Sequence, residues 1–100
     1  MTPELLESVR NELGITWTDT GTDNKLTGSI TRGMARLNQL MPSPLDFSAE
    51  DLPRQLLFAY CFYDRSHALD DFEKNYLPQI QSLQHREEVR EFVESQISVV

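Results

Sequence analysis

Cysteine is almost missing from this chain: Cys61, set between Tyr60 and Phe62, is the only one in 100 residues. A lone cysteine excludes an internal disulfide framework and fits synthesis in a reducing cytoplasm. Glycine is scarce as well. Gly14, Gly21, Gly28 and Gly33 stand singly, so there is no glycine-rich loop to cradle a phosphate. Bases are few, with nine Lys and Arg against sixteen Asp and Glu, for a net charge of −7. No cluster of Lys or Arg along the chain serves a phosphate backbone, which argues against specific nucleic-acid binding, and no basic amphipathic stretch suits a membrane surface. Long apolar runs are absent too: nothing approaches the roughly 18 residues needed to cross a bilayer. The opening "MTPELLESVR", with Glu4 inside it, does not read as a secretory signal.

What is present reads as one small all-α domain. A chain of this length buries about 65% of its unfolded surface, a modest core. Its hydrophobic fraction of 39% stays under the usual globular range of roughly 45–50% even with glycine added, which leans toward a domain finished by partners. Thr2, Pro3 and Glu4 make a helix start, Leu5, Leu6, Val9 and Leu13 follow at helical spacing, and Gly14 stops it. A first helix is therefore predicted near residues 3–12. "ITWTDTGTDN" is a loop in which Ile15 and Trp17 dock on the core as a short extended piece near 15–18. Leu26, Ile30, Met34, Leu37, Leu40 and Met41 then share an arc of about 120°, which predicts a second helix near 22–41. Gly33 lies in that arc, either where a neighbouring helix packs closely or as a tolerated defect.

"PSPLDFSAEDLP" turns the chain, with a second extended piece near 45–47. Ser48 and Asp51 resemble a capping box, Phe47 and Leu52 its hydrophobic staple, and Pro53 either ends a separate turn or starts the next helix. The pattern then predicts one long helix in the C-terminal half, near 53–84. Phe58, Cys61, Phe62, Leu69, Phe72 and Tyr76 form one apolar stripe, and Leu56, Leu57, Tyr60 and Tyr63 a second, so its first turns are buried on two sides. Pro78 is expected to kink or interrupt it near Tyr76. Residues 85–100 form a separate charged and apolar segment, with a short helix near 86–96 that orders on docking.

Asp64, His67 and Asp71 fall at i, i+3 and i+7, within roughly 60° of one another on a helix. Two carboxylates and an imidazole are plausible ligands for a divalent metal. They spread over about 10 Å of helix axis, however, with no fourth ligand elsewhere, so no metal is expected to bind. Cys61 lies on the core stripe, where a thiol behaves as a small hydrophobe. No catalytic or cofactor-binding residue is legible, and no enzyme is expected. The surplus of large rings, the polar face beyond them and the apolar tail point instead to contact surfaces. The candidates are Tyr60, Tyr63, Asp64, His67, Asp71, Phe92 and Val93.

The order "ITWTD", "ITRGMARLNQLM", "PLDF" and then "RQLLFAYCFYDRSHALDDFEKNYLPQIQSL" resembles the small head–tail connector (adaptor) proteins of tailed bacteriophages and prophages. The likeness covers roughly residues 4–84 and is most specific in "LDF", "LL" and "YCFYDRSHALDDFEKNY". It implies a helical bundle at the head–tail interface of the virion, in a closed ring of about twelve copies. That ring sits between the portal protein and a head-completion (stopper) protein, with genome DNA passing through. An acidic channel wall would repel the phosphate backbone and let it slide. A second reading is a small cytoplasmic adaptor or regulatory module that binds one partner helix in an aromatic groove.

Overall fold

The computed structural model describes residues 3–17 and 19–98. Five helices and no strand are present among them: α1 (Pro3–Glu12), α2 (Thr20–Gln39), α3 (Leu52–Arg65), α4 (Leu69–Asn75) and α5 (Leu77–Ser98). The expected all-α bundle is what forms.

The first two helices follow their sequence signals closely. Past the end of α1, Gly14 adopts φ +72° while its N–H donates to the Asn11 carbonyl and that of Ile15 to the Arg10 carbonyl. This is the left-handed reversal that satisfies the last helical carbonyls, and it drives Ile15 into the core. Trp17 departs from expectation: it is half exposed, with Arg10 donating to its carbonyl at 2.7 Å. Helix α2 begins two residues earlier than the apolar spacing indicates, because Asp19 caps it by accepting from the Thr22 N–H at 3.0 Å and the Thr22 hydroxyl at 3.1 Å.

The long helix predicted near 53–84 is three helices. Pro53 sits in the first turn of α3, where its missing N–H costs nothing, and Asp46 shapes the preceding loop by accepting from the Ser48 N–H. Helix α3 then ends at Arg65 in a left-handed reversal like that of α1. His67 takes φ +57° and donates its N–H to the Asp64 carbonyl, and Ala68 donates to the Tyr63 carbonyl at 2.8 Å. A histidine in that region costs of order 1 kcal/mol relative to glycine, which is why "DRSHAL" gives no sign of a stop. The second break falls at Tyr76, where Pro78 required one. Beyond it α5 runs uninterrupted to Ser98, so no helix break marks the division expected at residue 85.

Helix α3 is the hub. It touches every other helix, and α5 reaches only α3 and α4. Leu56, Leu57, Tyr60 and Cys61 are all buried, as a helix covered on two sides requires. Phe62, assigned from spacing to the same stripe, is instead 56% exposed. The core closes with Val9, Leu26, Ile30, Leu37, Phe72 and Leu83. Arg54 is buried beside it and bridges three segments, donating to the Ser8 hydroxyl at 2.6 Å and the Ser48 carbonyl at 3.1 Å while its guanidinium lies 5.4 Å from the Phe58 ring centre. The radius of gyration is 15.1 Å, against about 13 Å for a compact chain of this length. The excess comes from the outer half of α5, where residues 88–94 are all exposed.

Candidate functional site

Two surface features carry chemistry. The first is a cleft between α2 and the end of α3, lined by Lys25, Ser29, Arg32, Asp64, Arg65 and His67 among others, with a volume of about 540 Å³. At its base the Ser29 hydroxyl donates to Asp64 Oδ2, and Arg32 Nη2 donates to the same oxygen at 2.7 Å. Burial pushes the Asp64 carboxyl up, but the Ser29 hydroxyl and the Arg32 guanidinium together outweigh it and hold it below the usual value of 3.8. The bond to Asp64 likewise raises Arg32, against the opposing effect of burial. Below the cleft the Cys61 thiol is pushed up to about 12, by burial first and then by the nearby Asp64 charge. A thiol in that state is no nucleophile.

The ion pair by which Asp64 joins α3 to α2 therefore exists only while its carboxyl is ionised. A carboxyl whose folded value is depressed adds stability above its unfolded value and loses it as pH falls through the folded one. Asp64→Asn is expected to unfold at lower urea than the parent at pH 7. The gap between the two should narrow steadily below about pH 4. Parallel urea titrations from neutral to acid pH check this; a gap that does not change with pH would show that the carboxylate contributes no ion pair.

The second feature is the outer half of α5. At about 100° per residue, the inward residues Ile80, Leu83 and Glu87 lie on one side of the helix, and Val89, Phe92 and Val93 lie on the opposite side. The first set is buried and the second is 47–64% exposed. The apolar stripe has thus changed sides partway along a single helix. Glu87 stays buried by pairing with Arg90 at 2.6 Å, while Arg86 reaches Asp51 at 3.0 Å.

The seven residues singled out in the sequence distribute unevenly. Asp64 and His67 meet in the cleft, and Phe92 and Val93 lie on the exposed stripe of α5. Tyr60 is not on the surface; it is buried against Phe72 with ring centres 5.5 Å apart. Tyr63 is half-buried in the same ring cluster, and its hydroxyl accepts from Asn75 Nδ2 at 3.2 Å. Asp71 is exposed in the first turn of α4 and does not line the cleft. The turn at His67 separates it from Asp64, so the shared helical face does not exist. Among the described residues, no three His, Cys, Asp or Glu side chains gather as a metal site.

Lys25, Ser29, Arg32 and Arg65 are the residues that sequence reasoning missed. They are dispersed along the chain and form no basic run. The one available signal was that Lys25 and Arg32 lie seven apart, on one face of α2. No described helix is long and apolar enough to cross a membrane. Comparison with protein-family models, curated proteins and solved structures found no match.

Proposed function

We propose that the chain is a structural connector of a tailed phage or prophage, forming a ring between the portal and the head-completion protein. The observation that carries this reading is the α5 arm. Its apolar stripe faces away from the chain's own core, so no motion of the arm toward the bundle would cover it by the same face that Ile80 and Leu83 use. An apolar stripe of this kind fits a partner surface. The likeness of residues 4–84 to connector proteins supplies the identity of that partner. The charge of −7 suits a wall that DNA must pass without sticking.

A portal ring gives each copy a symmetric template, so that a weak lateral contact is made at high effective concentration. The test uses purified portal rings from the same genome, mixed with the full-length chain and with a variant carrying Val89→Ser, Phe92→Ser and Val93→Ser. The parent is expected to co-sediment with the rings and the variant to remain in the supernatant, with both equally helical by circular dichroism. If the parent fails to sediment with the rings, the connector reading is wrong. If the variant binds as well as the parent, the arm is not the portal contact.

A further inference from the structure

Of the nine basic side chains, six are paired with acids among the described residues, and all six are arginines. Lys25, Arg65 and Lys74 have no ion pair or side-chain hydrogen bond to another described residue. Two of these three line one cleft, with Arg32 and His67 beside them. Asp64, the only acid lining it among the described residues, is already paired with Arg32. A protein of net charge −7 thus places two of its three unpaired basic side chains in a single concavity.

The spacing of those charges narrows what fits. Lys25 and Arg32 are two turns apart on α2, about 10 Å along the axis, and Arg65 and His67 stand on the facing wall at the end of α3. One small anion does not bridge such a length; a row of carboxylates does. The same chain carries one. Glu88, Glu91 and Glu94 are exposed on α5 at i, i+3 and i+6, in an oblique row about 9 Å long that starts beside Phe92 at Glu88 and winds about 120° around the helix to the side of Glu87, away from the apolar stripe. The arm does not reach this cleft in its own chain, because α5 touches α3 and α4 but not α2.

We infer that the acidic row of the α5 arm docks in the α2–α3 cleft of a second copy. Each chain then offers a cleft to one neighbour and an arm to another. Such a head-to-tail contact closes a ring if its rotation allows and otherwise extends a filament. It needs no portal, and it stands or falls apart from the connector reading. A row of three carboxylates covers far less than the roughly 800 Å² per partner of a stable complex, so the contact is weak and salt-dependent in free protein.

Charge exchange tests it, read by amide chemical shifts of the full-length chain at increasing concentration. The parent is expected to show shifts around residues 24–32 and 64–67 together with shifts around 88–94, all lost near 1 M salt, where the Debye length is about 3 Å. A cleft variant with Lys25→Glu and Arg65→Glu loses both sets, and so does an arm variant with Glu88→Lys and Glu91→Lys. Equal mixing of the two variants restores them, because each reversed cleft meets a reversed arm. All four positions are exposed, so both variants keep the parent's dilute spectrum. The inference is overturned if the mixture stays unshifted, if either variant alone associates like the parent, or if the cleft shifts without the arm.

Discussion

Phe72→Ala is expected to lower the unfolding free energy by about 3–5 kcal/mol, a large part of the roughly 5–15 kcal/mol that holds a domain folded. Phe72 is the one buried residue of α4, a helix of seven residues. Its ring packs edge-on against Tyr60 and Tyr63 and stacks on Tyr76, with centres 5.5, 5.8 and 5.4 Å away. Truncation therefore leaves a cavity bounded by three aromatic faces and removes what fastens α4 to α3. The forked pair of Arg36 with Glu73 survives, but both partners are more than two-fifths exposed, and such pairs contribute little. Urea unfolding should show the drop, and the near-ultraviolet dichroism of the tyrosines should fade with it. A loss below about 1 kcal/mol would mean that the ring cluster repacks without Phe72.

Gly33→Val is expected to cost about 3 kcal/mol or more, beyond the 1–3 kcal/mol typical of an overpacked core. A Cβ at Gly33 would lie 2.8 Å from both Leu57 Cδ1 and Tyr60 Cδ1. Neither neighbour is free to yield, because Leu57 and Tyr60 are themselves buried. The gain of about 1 kcal/mol from replacing a mid-helix glycine by alanine offsets only part of this, so Gly33→Ala should also destabilise. Gly28→Ala is the contrasting case. Its new methyl meets only the end of the Arg32 side chain, at 3.0 Å, and Arg32 is largely exposed. Thermal melts should separate the two, with Gly33→Val lowering the midpoint by about 10 °C or more and Gly28→Ala leaving it level or higher. Equal midpoints for the two alanine variants would refute the close approach of α2 and α3.

Both predictions draw on features that the sequence shows to different degrees. The close approach at Gly33 was one of two open readings of a glycine inside an apolar arc, and the distance to Tyr60 decides between them. The two-sided burial of α3 followed from apolar residues on nearly every side of its first turns. The stop at His67 was not legible, because histidine carries no preference strong enough to announce a left-handed residue; the reversal is visible only in the folded chain, where α4 packs against α3. Phe62 shows the same limit. Periodicity places a residue on a face but does not say how far the neighbouring helix extends to cover it. The cleft was hidden for another reason. Its cations come from α2 and from the end of α3, some thirty residues apart or more, and only the tertiary fold adds them into one field.

The uninterrupted course of α5 has a thermodynamic consequence. Restricting the backbone of a flexible residue takes about 1–2 kcal/mol of conformational entropy. Residues 88–98 are already helical, so an arm that meets a partner in this form avoids an ordering cost of order 10 kcal/mol. What remains to be fixed on contact is the rotamer freedom of a few side chains, among them Phe92 and Val93. A preformed helix with three apolar side chains can therefore engage a surface that an unstructured tail of the same composition could not hold.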